Sequence, residues 1–99
     1  MIVYCIKIEV QKLSESEWLG WMQKKHIPAV IAAGGFKSYE ILKRIAPDED
    51  KSHYQIRYYA DSMEVYEKYK LKHSHYLQHE HNNLFGKVVS VTRDLFEVI

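Results

Sequence analysis

The sequence is poor in the features that most often announce a function. It has one cysteine, Cys5, so no disulfide can form within the chain. Its start, MIVYCIKIEV, has no basic leader, and no apolar run approaches the roughly 20 residues of a membrane-spanning helix. Charge of either sign is not in excess: 14 Lys and Arg against 13 Asp and Glu leave a net charge of +1. That balance supplies no electrostatic reason to expect nucleic acid or an anionic membrane as a partner. Four glycines, two of them adjacent as Gly34-Gly35, make no phosphate-cradling loop. No HExxH is present, no cysteine cluster exists, and no spacing supports a Ser-His-Asp set. The expectations are a cytoplasmic protein without resident metal or cofactor, forming a single domain over residues 1–99.

What is present is a well-patterned chain. Apolar residues make up 46% and charged ones 27%, which favours a folded globule over disorder. Ile2 to Val10 alternates, with Ile2, Tyr4, Ile6, Ile8 and Val10 on one side, and reads as a strand. Ser14 and Glu17 have the spacing of a capping box and open a helix. Trp18, Leu19, Met22, His26, Ala29, Val30 and Ala33 then share one face at helical periodicity. Pro28 cannot donate to the carbonyl of Lys24, so a kink or break is predicted just before it. Gly34-Gly35 supplies a left-handed stop.

Phe36 to Ala46 reads as a second strand, Pro47 to Asp50 as a turn and Ser52 to Ala60 as a third strand, giving a hairpin. Asp61 with Glu64 caps a second helix running to about His81, with an apolar stripe of Met63, Tyr66, Tyr69, Tyr76, Leu77 and Leu84. His73 and Glu80 fall near the centre of that stripe, while Lys68, Lys72, His75 and His79 lie opposite. Asn82, Asn83 and Gly86 form a turn, and Lys87 to Ile99 is a fourth strand.

The order β-α-β-β-α-β specifies an α+β, ferredoxin-like sandwich. Its four-stranded antiparallel sheet has spatial order 4-1-3-2, with both helices on one face. The other face would carry Val3, Cys5, Lys7, Gln55, Arg57 and Tyr59, with Ile41, Ile45, Val89, Val91 or Leu95 added according to register. So apolar an outer face predicts that two sheets pack together as a homodimer. An RNA-binding use of the face fits poorly, because the third strand HYQIRYYA has no glycine and basic charge is not in excess.

His26 and His73 each occupy a helical stripe that must face the sheet, opposite Tyr4, Tyr54 and Tyr58. Together with Trp18 and Met22 they are the candidate lining of a helix–sheet pocket. A histidine there can act as general acid or base near neutral pH, and a phenol can orient a substrate oxygen. Each histidine can equally be a core residue bonded to a carbonyl or a tyrosine. His75 and His79 are spaced to chelate a metal, but a solvated histidine-rich face explains them better. Cys5 is expected to be a buried, unreactive thiol.

At this point the sequence resembles the dimeric α/β-barrel superfamily, which includes antibiotic-biosynthesis monooxygenases, small haem-degrading enzymes and stress-responsive barrel proteins. The segment W-x-x-W-M-x-x-x-H-I-P-x-V from Trp18 to Val30, followed by Gly34 and Phe36, is similar to a bacterial family known as a domain of unknown function. Tyr66, Tyr69, His73, Glu80-His81 and Phe85-Gly86 fit the same pattern. The resemblance implies a homodimer with a pocket between sheet and helices in each subunit. It implies His26, His73 and His81 as members of the pattern and transfers no reaction. Two functions follow as expectations. One is a small-molecule-binding homodimer, with cofactor-independent monooxygenase- or isomerase-like chemistry and His26 as the acid/base group. The other is a non-enzymatic dimeric interaction or stress-associated module.

Overall fold

Strand β1, Ile2–Gln11, is the spine of the fold, and a computed structural model describes residues 1–45 and 50–99 around it. The strand pairs antiparallel with β3 (Lys51–Ala60) on one side and β4 (Val89–Glu97) on the other. Strand β2 (Ser38–Lys43) completes the sheet against β3, in the order β2-β3-β1-β4. This is the predicted ferredoxin-like topology. The proposed turn at Pro47 to Asp50 lies mostly outside the described residues, and the strand before it is shorter than the alternation suggested.

Alternation decides the two faces. Tyr4, Ile6, Ile8 and Val10 of β1 meet Tyr54, Ile56, Tyr58 and Ala60 of β3 in one buried layer, covered by two helices. The first, α1, spans residues 15–34, and the second, α2, spans residues 63–85. Neither opens as the sequence suggested. Ser14 and Ser62 are the capping residues, and neither makes a side-chain capping bond. Glu15, not Glu17, is the acid that matters at the start of α1. Its carboxylate accepts hydrogen bonds from the hydroxyls of Ser52 (2.6 Å) and Tyr54 and pairs with Lys43 at 2.8 Å. These partners tie the helix to the β2–β3 edge. Lys43 beside it, with the two hydroxyls, pulls the Glu15 carboxyl down to about 2.

Both helices contain a π-helical turn, at Met22–His26 and at Lys70–Ser74. The first replaces the break expected before Pro28. The Ile27 N–H bonds to the Met22 carbonyl five residues back, and the helix runs on to Gly34. Gly35 then ends it with φ of 71°, the left-handed stop that a glycine supplies without steric cost. In the second, the Ser74 hydroxyl donates to the Lys70 carbonyl at 2.8 Å, satisfying an acceptor within the widened turn.

Each π turn inserts one residue and so rotates the following face by about 100°. In α2 the buried residues from the end of the turn onward are Ser74, Leu77, His81 and Phe85: Leu77 belongs to the predicted stripe, while Ser74, His81 and Phe85 stand one step beyond the predicted His73, Glu80 and Leu84. Tyr76 and Leu84 are exposed, and His73 is half-buried. In α1 the buried set becomes Trp18, Met22, His26, Ile27, Val30 and Gly34.

The open face of the sheet carries Val3, Cys5, Lys7, Gln55, Arg57 and Tyr59, as expected. Its edges differ. Ile41 pairs with Ile56, and Val89, Val91 and Leu95 pair with Val10, Ile8 and Tyr4, so all four face the helices. Ile45 lies beyond the strand and is exposed. Leu42 and Phe96 take their places on the open face, where Tyr59, Val3 and Phe96 form one cross-strand apolar row. Phe96 is 51% exposed. Cys5 is buried, with its thiol 3.7 Å from the Gln55 side-chain oxygen. Among the described residues no helix is long and apolar enough to cross a membrane.

Candidate functional site

The π turn of α1 ends at His26 and sets its ring into the helix–sheet layer. The residue is only 7% exposed. Trp21 lies over it at 5.2 Å between ring centres, and His81 of α2 stands 5.9 Å away. Trp21 and Phe85 close the group, their rings 5.4 Å apart. The two histidines have different states. Trp18 donates its indole N–H to His81 Nε2 at 3.0 Å, so that nitrogen is an acceptor and the proton sits on Nδ1. Burial pushes the His81 ring below the usual range, partly offset by a hydrogen bond with the Asn82 side chain. His81 is thus a satisfied, neutral ring.

His26 is not satisfied. Its Nδ1 is fully buried and has no hydrogen-bond partner. Burial, reinforced by His81 and then Arg93, lowers its basicity to about 4, so the ring is neutral at physiological pH. A buried polar atom without a partner costs about 1–3 kcal/mol. Only one other buried side-chain polar atom among the described residues shares this condition, the hydroxyl of Tyr58.

The remaining candidates lie along the same layer. Trp18 is fully buried and packs on Tyr54, 5.1 Å between ring centres. Tyr4 stacks on Tyr58 at 6.1 Å and leans on Tyr66 at 5.1 Å. Met22 is buried in the common core. His73 sits apart, at the rim, with Nδ1 2.9 Å from the Tyr76 hydroxyl and its ring against Tyr69. The structure therefore brings His26 against His81, not against His73, because the π turn of α2 rotates His81 inward and His73 outward.

His81 belongs to the family pattern in the sequence, but its inward direction depends on the π turn. Arg93 bears no such mark in the sequence. It stands on β4 opposite Ile6, on the helix side of the sheet, where its charge favours the ionised form of the Tyr4 hydroxyl against the effect of burial. His75 and His79 point to solvent. Among the described residues no three His, Cys, Asp or Glu side chains converge as a metal site would require.

Three surface depressions are open rather than enclosed. The largest, about 580 Å³, includes Lys7, Gln55 and Arg57 of the open sheet face together with Lys43 and Tyr54. A second, about 430 Å³, lies on that face over Val3, Cys5 and Phe96. The third, about 250 Å³, lies between the helices beside Gly34, Tyr69 and His73. None of the three touches His26.

Comparison with known proteins places this geometry. A family model described as "Domain of unknown function (DUF4286)" matches residues 1–99. No curated protein matches the chain. Among solved structures, one provisionally described as an antibiotic biosynthesis monooxygenase from Deinococcus radiodurans superposes with a TM-score of 0.75 at 11% identity, covering 100% of this chain and 93% of that one. An EthD family protein from Bacillus halodurans gives 0.69 at 13% identity, covering 100% of both chains. A dimeric ferredoxin-like protein from an uncultured marine organism gives 0.67 at 15%, covering 100% of this chain and 95% of that one. At such identities the likeness is one of fold.

Proposed function

Given that the chain belongs to the DUF4286 family, a domain of unknown function, we propose that it is a homodimer that binds a small organic molecule between its helices and its sheet. His26 is the residue that meets the ligand. The observation that carries this reading is the buried, unpartnered Nδ1 of His26. A protein core rarely keeps such an atom unless something completes it. Tyr4 and Tyr58 of the sheet and Trp18 and Met22 of α1 form the walls, with Tyr54 behind Trp18 and His73 at the rim. A neutral imidazole held there can accept a proton from a bound substrate and return it, chemistry of the isomerase or cofactor-independent monooxygenase kind. The shared fold with the Deinococcus radiodurans protein supports that class.

The dimer would form through the open sheet face, where the row Tyr59–Val3–Phe96 is the apolar centre. The dimeric ferredoxin-like neighbour supports a homodimer. A second reading, a non-enzymatic dimeric interaction or stress-associated module, is favoured by the three depressions' failure to reach His26.

One variant separates the readings. His26→Phe keeps the ring packing and removes the nitrogen. The binding reading expects a folded dimer by sedimentation that has lost the ability to be stabilised by those members of a small-molecule library that raise the melting temperature of the parent. If the parent gains no stabilisation from any compound, or if His26→Phe unfolds, the histidine serves the core alone.

A further inference from the structure

Given the binding reading above, on which this inference rests, the groups around the site identify the class of molecule it takes. Arg93 projects from edge strand β4 on the side of the sheet that the helices cover, and it remains accessible to water. Its guanidinium is close enough to act electrostatically on Tyr4, Tyr66, Tyr69, His26 and His81, Tyr4 foremost. All five of these neighbours are uncharged at neutral pH. Burial raises the three phenols and lowers the two imidazoles.

Some surface lysines have carboxylates beside them: Lys37 has Asp61, Lys43 has Glu15 and Lys68 has Glu64. Among the described residues Arg93 has none within 4 Å. A planar fork of donors set among neutral hydrogen-bonding groups is suited to a carboxylate. Two further features describe the rest of the ligand. Trp21 and Phe85 offer adjoining flat apolar rings, Trp21 only half-buried. The Nδ1 of His26, under Trp21, lacks a partner.

We propose that Arg93 and the Tyr4 hydroxyl bind the carboxylate of a small aromatic acid, whose ring lies against Trp21 and Phe85 and whose second polar group meets His26 Nδ1. The test uses 1-naphthoate and its neutral counterpart 1-naphthamide as probes, titrated into the isotope-labelled full chain. The signals followed are the Trp21 indole N–H and the His26 ring. The expected result is movement of both signals by the acid, with at least about tenfold tighter binding than the amide, a difference of about 1.4 kcal/mol. Arg93→Gln should bring the acid to the level of the amide, and Arg93→Lys should restore part of the preference.

Equal binding of acid and amide at this site overturns the anion assignment and leaves the binding reading standing. A preference that survives in Arg93→Gln, or acid-induced shifts centred on Lys7 and Arg57 of the open face, also overturns it. If neither probe moves His26 or Trp21 up to its solubility limit, the aromatic-acid assignment falls, and the binding reading then stands or falls on the library screen of parent and His26→Phe.

Discussion

A buried imidazole that is neutral when folded and protonated when unfolded makes stability depend on pH in a defined way. His26 has an ordinary value of 6.5 in the unfolded chain and about 4 in the folded protein. Between these values the unfolded state binds more protons, so stability falls as pH falls, by about 1.4 kcal/mol per pH unit. Across the window the loss is about 3 kcal/mol, a large share of the 5–15 kcal/mol typical of a domain. His81, lowered for the same principal reason, steepens the fall. The assay is urea unfolding from pH 7.5 to 4.5 without ligand, comparing the parent with His26→Phe. The variant should be the more stable at pH 7 by about 1 kcal/mol, since it removes an unpartnered buried nitrogen. Its stability should also decline more gently with acid, retaining only the His81 part. Parallel curves for the two proteins would refute the reasoning, because they would mean that His26 protonates in place.

Three other outcomes follow from the geometry. Glu15→Gln should lose about 2 kcal/mol at pH 7, because its partners Lys43, Ser52 and Tyr54 hold the charged form; the parent keeps that stabilisation above pH 4.5 and loses it as pH falls toward 2, so denaturant midpoints of the two should converge in acid. Trp18→Phe should cost about 3 kcal/mol by chemical denaturation, since it leaves His81 Nε2 without its donor and opens space in a fully buried position. Gly34→Ala should lower the melting temperature by several degrees, about 2 kcal/mol, because a Cβ there would stand 2.7 Å from the Phe36 ring and 2.9 Å from Tyr69; an unchanged melting temperature would mean that those rings give way freely.

Much of the helix–sheet layer was legible residue by residue. Tyr4, Trp18, Met22, His26, Tyr54 and Tyr58 are all buried between helices and sheet. For all but His26 the inward direction follows from a strand period of two and from a helix period that holds up to Met22; His26, at the end of the π turn, is also buried. His73 was placed at the centre of its stripe by the same arithmetic and lies at the rim, since Lys70–Ser74 adds a residue to the turn. Pro28 gave warning of an irregularity in α1. Nothing comparable precedes Ser74, whose hydroxyl bond to Lys70 becomes visible only in the folded helix. Arg93 was illegible for another reason. A lone arginine in a strand rich in polar residues carries no mark of the phenols and imidazoles that the sheet, α1 and α2 bring to it.

The sequence by itself determined the element order, and with it the β2-β3-β1-β4 sheet covered by two helices. Strong alternation in β1 and β3 and two amphipathic stretches leave few ways to bury their apolar faces, and right-handed crossovers reduce those to one. The tertiary structure alone decided the phase of each helix beyond its π turn and the register of the edge strands. It thereby decided that His26 faces His81 and that Ile41, Val89, Val91 and Leu95 turn inward. The physical reason is common to both. A π turn and an edge register cost little locally, so the packing partner that each face meets selects them, and those partners lie far away in the chain.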